Sequence, residues 1–191
     1  TGWAENLVEA IEHSKQTTLE RFLFALGIEH VGESTAKALA TWFGRLELIR
    51  HLPWPLLKLV PDIGGEVARS IDHFLAQEGN QAAIDALLKR GVRLTDEHDV
   101  SPKLRQNLAA DQFLASLEIP KLTERRAAQL AAAFEDIERL AHVPEHQLIT
   151  AGLPADTAAA LVQWRDDPVN ADLLKRSLRT WNRLRELAGS S

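Results

Sequence analysis

The chain has 191 residues, of which 45% are hydrophobic, and 22 Lys and Arg against 27 Asp and Glu give it a net charge of −5. This length allows one or two domains with a buried core, and the acidic balance excludes a strongly cationic nucleic-acid or membrane protein at the level of the whole chain. The absence of cysteine excludes disulfides, thiol catalysis and thiolate zinc sites, and no apolar run approaches the ~20 residues that span a bilayer, so we expect a soluble, intracellular protein.

Residues 1–15 carry a helical pattern that begins without a start signal. Leu7, Val8 and Ile11 are spaced as on one face of a helix, and no methionine precedes them. We interpret these residues as the end of a preceding motif and the chain as a fragment of a longer protein. Its function is then that of a module.

Residues 16–95 form the first predicted unit. Periodic apolar segments alternate there with short breaks at Gly, Pro or Asp, and no strand of period two appears, which indicates an all-α fold. Trp42 and Trp54 lie at helical spacing among apolar residues, so we expect them in the core rather than stacked on bases. Two of the breaks, residues 27–32 and 60–64, place a tight turn and a glycine four positions before an alanine. This order of helix, short hairpin and helix is typical of the helix-hairpin-helix motif.

The hairpin glycines suit the approach of a phosphate. Glycine has no Cβ to hold a phosphate away, and the N–H groups at the start of the next helix bind anions without a cationic side chain. Two such motifs contact both backbones of a duplex across the minor groove and read no bases. The predicted phosphate-binding residues are Gly27, Ile28, His30, Gly32, Ser34, Thr35, Lys37, Lys58, Ile63, Gly64, Gly65 and Arg69. The side chains of Ile28 and Ile63 are also expected to anchor the hairpins in the core.

The chain then repeats itself. Residues 22–28 match residues 113–119 at an offset of 91, and after a one-residue gap Phe74 matches Trp164 at an offset of 90. The polar run at residues 96–104 is predicted to be a linker, and residues 105–186 are predicted to be a second unit. The predicted fold is therefore all-α, with two tandem double helix-hairpin-helix units.

The second unit is degenerate at the positions that would meet phosphate. Its counterparts of Gly27, Gly32 and Gly64 are Glu118, Thr123 and Pro154. A carboxylate at the first position opposes a phosphate, and proline at the last removes an N–H donor. Two interpretations stay open for its basic residues, which are weaker candidates for phosphate contact and equally suit a solvated surface or a helix end favoured by the macrodipole. These residues are Arg125, Arg126, Lys175 and Arg179.

The first unit resembles a known family. The runs at residues 6–15, 19–33 and 59–64, followed by Phe74 and residues 87–92, are similar to the helix-hairpin-helix region of bacterial NAD-dependent DNA ligases. The resemblance covers about residues 3–94. Beyond them the family pattern leads to a BRCT-type domain, whereas this chain repeats the hairpin unit.

The resemblance implies a role in a larger enzyme. The parent would transfer adenylate from NAD to itself and then to a 5′-phosphate, and would close nicks in DNA replication and repair, with Mg and Zn as further cofactors. Its adenylation, OB-fold, zinc-finger and BRCT domains are not in this fragment, so we expect no catalytic residue, cofactor or metal within it. We expect a monomer that binds double-stranded, nicked DNA, contacts the rest of the parent ligase chain and resides in the bacterial cytoplasm at the nucleoid. The alternative is a protein-interaction or spacer module with little DNA affinity of its own, above all in the second unit.

Overall fold

The computed structural model describes residues 2–3 and 15–189. The chain divides into two compact units, unit 1 (Thr1–Leu104) and unit 2 (Arg105–Ser191). Most of residues 1–15, predicted to end a preceding motif, lie outside the described residues. No helix in the described ranges is long and apolar enough to cross a membrane.

The predicted all-α class is confirmed, because the described part of the chain consists of helices and turns apart from one parallel pair of two-residue strands. The elements of unit 1 are β1 (Gln16–Thr17), α1 (Leu19–Ala25), α2 (Glu33–Phe43), α3 (Leu46–Ile49), α4 (Trp54–Leu57), α5 (Gly65–Ala76), α6 (Glu78–Lys89) and β2 (Arg93–Leu94). A 3₁₀ helix, Pro102–Asn107, lies at the boundary between the units. The elements of unit 2 are α7 (Ala110–Ser116), α8 (Glu124–Ala133), the 3₁₀ helix Ile137–Ala141, α9 (Glu145–Thr150), α10 (Ala155–Asp166) and α11 (Pro168–Leu187).

The helices of unit 2 begin at nearly constant distances along the chain from those of unit 1. Helices α7, α8 and α9 begin 91 residues after α1, α2 and α4, and helices α10 and α11 begin 90 residues after α5 and α6. The one-residue difference falls between the starts of α9 and α10. The last helices differ most, since α6 has 12 residues and α11 has 20.

Aliphatic side chains anchor the hairpin turns in the core of each unit, as the sequence predicts. Ile28 and Ile63 are only 4% and 2% exposed, and burial of one such side chain stabilises a fold by about 1.5–3 kcal/mol. Their counterparts in unit 2, Ile119 and Leu153, are also buried. These buried side chains hold each turn in place against the core, while the backbone of the turn lies at the surface.

The segment predicted to be a linker, residues 96–104, belongs to unit 1. The Asp96 carboxylate accepts a 2.8 Å hydrogen bond from the Leu19 amide, and the Glu97 carboxylate accepts one of 2.8 Å from the Leu46 amide. Asp99 pairs with Arg45 at 2.8 Å, and this hydrogen bond raises the pKa of Arg45. The carboxylates of this segment thus cap the first turns of α1 and α3, and its role as a linker between the two units stays a prediction.

A buried arginine holds α3 against α6 in unit 1. Arg50 is 7% exposed, and its guanidinium donates to Gln81 Oε1 at 2.7 Å, Glu47 Oε1 at 2.9 Å and Asp85 Oδ1 at 2.6 Å. Gln81 in turn donates to the backbone oxygens of Arg50 and Leu75. Each donor of this buried cation therefore has an acceptor, which is what makes its burial tolerable.

Candidate nucleic-acid interface

The first hairpin of unit 1 turns on two residues in the left-handed region. Gly27 has φ +67° and His30 has φ +69°. The turn is closed by a 3.0 Å hydrogen bond from the Val31 amide to the Ile28 oxygen. The turn itself therefore favours glycine at position 27, because a left-handed φ is less strained for glycine than for other residues.

Gly32 and Gly64 have a different reason to be glycine. They are the N-caps of α2 and α5, with φ −94° and −82°, which are backbone angles that other residues adopt readily. A Cβ built at either position would meet nothing within 4 Å. Neither backbone strain nor packing among the described residues therefore calls for glycine at these two sites.

The amides that follow these glycines point away from the helix without an internal acceptor. In each helix the first backbone bond of the i to i−4 type is made by an alanine, Ala36 to the Gly32 oxygen at 3.0 Å and Ala68 to the Gly64 oxygen at 2.9 Å. Across the described residues, no acceptor bonds the amides of residues 33–35 and 65–67. Three N–H groups at each helix start are accordingly available to an anion, with the positive end of the helix dipole behind them.

The two hairpins of unit 1 are in contact through their polar side chains. His30 Nε2, at the tip of the first hairpin, lies 3.4 Å from Glu66 Oε1 in the first turn of α5 and 3.7 Å from Glu29 Oε1. The histidine side chain is 43% exposed. This contact places the start of α5 beside the tip of the first hairpin.

The other predicted residues of unit 1 lie around these two helix starts. Ser34 and Lys37 are exposed on α2, Thr35 is half-buried there, and Gly65 is the first residue of α5. Acidic side chains share the surface, because Glu33 and Glu66 occupy the first turns of α2 and α5. The charge of this surface is therefore mixed, and the main-chain amides at the two helix starts are hydrogen-bond donors without an acceptor among the described residues.

Trp54 is the residue of this region that the sequence reasoning missed. The Arg69 guanidinium lies 4.0 Å from the centre of the Trp54 ring, and Lys58 Nζ lies 5.6 Å from it. The indole is only half-buried, so the expectation of a core position is only partly met. The ring holds the predicted cations Lys58 and Arg69 at one place beside the second hairpin. No sequence periodicity links Trp54 to Arg69, so only the fold reveals the pairing.

In unit 2 a side chain caps the first hairpin helix, α8, where unit 1 leaves the amides of α2 open. The turn residues in the left-handed region are Glu118 (φ +55°) and Lys121 (φ +66°). Thr123 caps α8, and its hydroxyl accepts a 3.3 Å hydrogen bond from the Arg126 amide. Pro154 is the N-cap of α10 and brings no N–H. At the start of α8, the Arg126 amide is therefore already hydrogen-bonded within unit 2.

The side chain of Arg126 is engaged within unit 2. Arg126 Nη1 donates to the buried Thr157 hydroxyl at 2.7 Å and to the Lys121 oxygen at 3.2 Å. Lys121 Nζ lies 3.6 Å from Asp156 Oδ2. Desolvation by burial raises the pKa of Asp156, but the charges of Lys121 and Arg126 and a hydrogen bond from the Thr157 backbone outweigh it and hold that pKa below its usual value. Arg126 and Lys121 therefore tie the two hairpins of unit 2 together.

The remaining basic candidates of unit 2 are all exposed. Arg125 lies on the surface of α8. Lys175 and Arg179 lie on α11 and line a groove to which no residue of the hairpin turns contributes. In the ranges 2–3 and 15–189 no group of three or more His, Asp or Glu side chains is arranged to hold a metal ion.

The comparisons with known proteins agree with this geometry. Residues 21–84 match the family model described as a helix-hairpin-helix motif. The chain is 63% identical over 173 residues to a protein named DNA ligase from Xanthomonas euvesicatoria pv. vesicatoria (strain 85-10), which covers 91% of this chain and 21% of that protein. It is 60% identical over 184 residues to the DNA ligase of Xanthomonas campestris pv. campestris (strain B100), covering 96% of this chain and 22% of the relative. It is 59% identical over 167 residues to the DNA ligase of Stenotrophomonas maltophilia (strain R551-3), which covers 87% of this chain and 20% of that protein.

The chain thus spans about a fifth of the length of these relatives. Because the similarity reaches 96% of the chain, it extends through most of unit 2. The expectation that the resemblance ends near residue 94 is therefore wrong. Unit 2 lacks the hairpin glycines of unit 1, so a search of the sequence for the glycine motif does not show that unit 2 also resembles these ligases.

Proposed function

We propose that this chain, a helix-hairpin-helix segment 59–63% identical to about a fifth of bacterial DNA ligases, binds duplex DNA through the two hairpins of unit 1. The contacts are made by backbone amides to phosphates of both strands across the minor groove, so that binding does not depend on base sequence. The bound DNA contains the nick that the longer protein closes.

The observation that carries this proposal is the open space in front of Gly32 and Gly64. Since neither the backbone angles nor the packing of the chain calls for glycine there, the small residue is explained by something that approaches from outside. A phosphate oxygen reaches the amides of residues 33–35 and 65–67 only where no side chain intervenes.

The length of the two helices favours the same ligand. Helices α2 and α5 have 11 and 12 residues, long enough to develop a dipole with its positive end at the glycines. The contact of His30 with Glu66 holds the two helix starts beside each other. One duplex then meets two amide sites at once, and their effects on affinity multiply.

The side chains modulate this binding in both directions. Lys37, and Arg69 on its Trp54 support, add positive charge near the phosphates, while the carboxylates of Glu29 and Glu66 oppose it. We expect modest affinity with a shallow salt dependence, because few cations release counterions on binding.

The longer protein supplies the chemistry in this proposal. It is an NAD-dependent DNA ligase that uses Mg and Zn outside this segment, acts in replication and repair, and works in the bacterial cytoplasm at the nucleoid. The segment itself contributes no catalytic residue or cofactor; it acts as a monomer and holds DNA while contacting the rest of the ligase chain.

A pair of aspartate substitutions tests the amide contacts. Asp at an N-cap accepts hydrogen bonds from the next helix amides and stabilises the helix by a few tenths of a kcal/mol relative to glycine, so Gly32→Asp/Gly64→Asp occupies the donors that phosphate needs. We expect fluorescence anisotropy with nicked duplex DNA to show at least about tenfold weaker binding, with a thermal midpoint equal to or above that of the wild type.

The matched control is Gly79→Asp/Ala82→Asp, which adds the same charge at exposed positions of α6. It should bind DNA within about twofold of the wild type, because it leaves both helix starts open. Undiminished DNA binding by the folded Gly32→Asp/Gly64→Asp variant would overturn the proposal.

A further inference from the structure

A groove runs along the last helix of unit 2. Its volume is about 700 Å³, and α11, the 3₁₀ helix Ile137–Ala141 and one residue of α10 form its walls. Leu174 and Leu178 are buried beneath it. Its lining residues are Glu138, Ala141, His142, Arg165, Ala171, Leu174, Lys175, Leu178, Arg179 and Asn182.

The same place in unit 1 is filled by a side chain. By the offset of 91 residues, Ala141 corresponds to Arg50, whose buried guanidinium bonds to Glu47, Gln81 and Asp85. By the offset of 90, Ala171 corresponds to Gln81, and Lys175 corresponds to Asp85. Unit 2 therefore lacks the arginine that fills this space and carries a cation where unit 1 carries an anion.

Two of the groove's polar side chains are already held by unit 2. Asn182 Nδ2 donates to Glu138 Oε1 at 3.1 Å, and Arg165 Nη1 donates to the Leu140 oxygen at 2.9 Å. Glu138 is the one carboxylate among the lining residues of this groove. The remaining charged groups on its rim are cationic, so the groove has a positive surplus.

The cations of α11 divide according to their place on the helix. Outside the groove, Arg176 pairs with Asp172 at 2.8 Å and Arg183 with Glu186 at 3.7 Å. Inside it, within the part of the chain that the structure describes, neither Lys175 nor Arg179 has a carboxylate within ion-pair distance. The two α11 cations that face the groove thus have no carboxylate counter-charge among the described residues. Arg185, outside the groove, has none either, but its guanidinium lies 4.4 Å from the centre of the Trp181 ring and donates to Asn182 Oδ1.

We propose that this groove binds an acidic amphipathic helix of a partner protein. Its carboxylates pair with Lys175 and Arg179, and its apolar side chains cover Leu174 and Leu178. The groove residues of α11 recur at positions 171, 174, 175, 178, 179 and 182, which is one helix face about 16 Å long. This length suits a helix lying along α11 better than a single small anion.

The chemistry of the floor favours protein over nucleic acid. The apolar lining is made by the accessible Ala141 and Ala171 and by the small exposed parts of Leu174 and Leu178. A phosphodiester backbone has no apolar group to cover this lining, whereas an amphipathic helix presents leucine and glutamate on one face. The inference does not rest on DNA binding by unit 1, because it uses other residues in the other unit.

A synthetic peptide provides the probe. A fluorescein-labelled peptide with leucine and glutamate at helical spacing should bind the whole chain, and a peptide with glutamine in place of glutamate should bind at least about tenfold more weakly. The variant Lys175→Gln/Arg179→Gln should weaken binding of the acidic peptide by a similar factor. Its matched control, Arg176→Gln/Arg183→Gln, removes two charges from the same helix outside the groove and should leave affinity within about twofold.

A second variant tests the space rather than the charge. Ala141→Arg/Lys175→Asp rebuilds the arginine–carboxylate pair of unit 1 within unit 2, and it should abolish peptide binding while the far-ultraviolet circular dichroism is retained. Equal peptide binding by wild type and Lys175→Gln/Arg179→Gln overturns the proposal. So does a loss of affinity for nicked duplex DNA, rather than for peptide, in that variant, since the groove would then be a phosphate surface.

Discussion

Unit 1 and unit 2 have nearly the same spacing of helices and have buried aliphatic anchors in their turns, yet they differ at the caps of the hairpin helices. Unit 1 places Gly32 and Gly64 there and leaves the following amides without an acceptor among the described residues. Unit 2 places Thr123 at the corresponding cap and ties its hairpins through Arg126. The difference shows that one helical framework either leaves its helix-start amides open or ties its own hairpins together, depending on a few residues.

The units also differ on the side of α6 and α11. Unit 1 fills the space beside α6 with the buried Arg50, and unit 2 leaves a groove beside α11. Unit 1 is therefore filled beside α6 and open at the starts of α2 and α5, whereas unit 2 is capped at the start of α8 and open beside α11. Substituting one or two residues should convert either feature of one unit toward that of the other, and the following predictions use such substitutions.

The largest effect is expected from Arg50→Ala, which makes unit 1 resemble unit 2. The variant loses three side-chain hydrogen bonds and leaves a cavity, so we expect the free energy of unfolding of unit 1 to fall by about 2–4 kcal/mol. Urea unfolding with hydrogen exchange at α3 and α6 measures it. Arg21→Ala, at an exposed position of α1, serves as the control, and a loss below about 1 kcal/mol in Arg50→Ala would show that the arginine does not fasten the helices.

Arg126→Ala should destabilise unit 2 by about 1–2 kcal/mol, because it leaves the buried Thr157 hydroxyl without its donor. The neighbouring Arg125→Ala removes the same charge from an exposed position and should change stability by less than about 0.5 kcal/mol. Denaturation of both variants, followed through α8 and α10, separates the two arginines. If Arg126→Ala weakened DNA binding at unchanged stability, the distinction between an amide-presenting unit and a self-tied unit would fail.

Thr123→Gly/Pro154→Gly should make unit 2 resemble unit 1. Glycine caps restore the amide of residue 154 and uncover that of Arg126, and each helix start contributes about 0.3–1 kcal/mol to an anion, so affinity for duplex DNA should rise about two- to fivefold for each of the two sites. Anisotropy with nicked duplex DNA measures this change. Thr123→Ser keeps a hydroxyl cap and should leave affinity as it is; an equal rise in that variant would contradict the amide explanation.

The smallest effect concerns acid stability. Since the folded-state pKa of Asp156 lies below its usual value of 3.8, its ion pair stabilises unit 2 above that value. The contribution is lost as the pH falls from about 5 through the folded-state pKa. Asp156→Asn should therefore lower the stability of unit 2 slightly near neutral pH and match the wild type at low pH. If the stability difference between wild type and Asp156→Asn grew as the pH fell, the pKa of Asp156 would not be lowered in the folded state.

The sequence predicts the helices and hairpins well because apolar periodicity and glycine position report directly on local structure. Ile28 and Ile63 are examples, since their spacing relative to the turn already shows that they face the core. A capping carboxylate and a solvated one look alike in sequence, so the polar run at residue 96 does not reveal that Asp96 and Glu97 cap helices. The cation pair on Trp54 could not be predicted either, since it joins residues from different helices without periodic spacing.

The carboxylates that cap unit 1 from its far end have a consequence for protein synthesis. The bond between the Leu19 amide and Asp96 joins residues 77 positions apart, and Glu97 closes the start of α3 in the same way. Thr18 caps α1 locally, but a ribosome must deliver nearly the whole of unit 1 before the Leu19 and Leu46 amides meet these carboxylates. We therefore expect unit 1 to complete its folding late in synthesis, and a chain cut at residue 95 would lack both carboxylates.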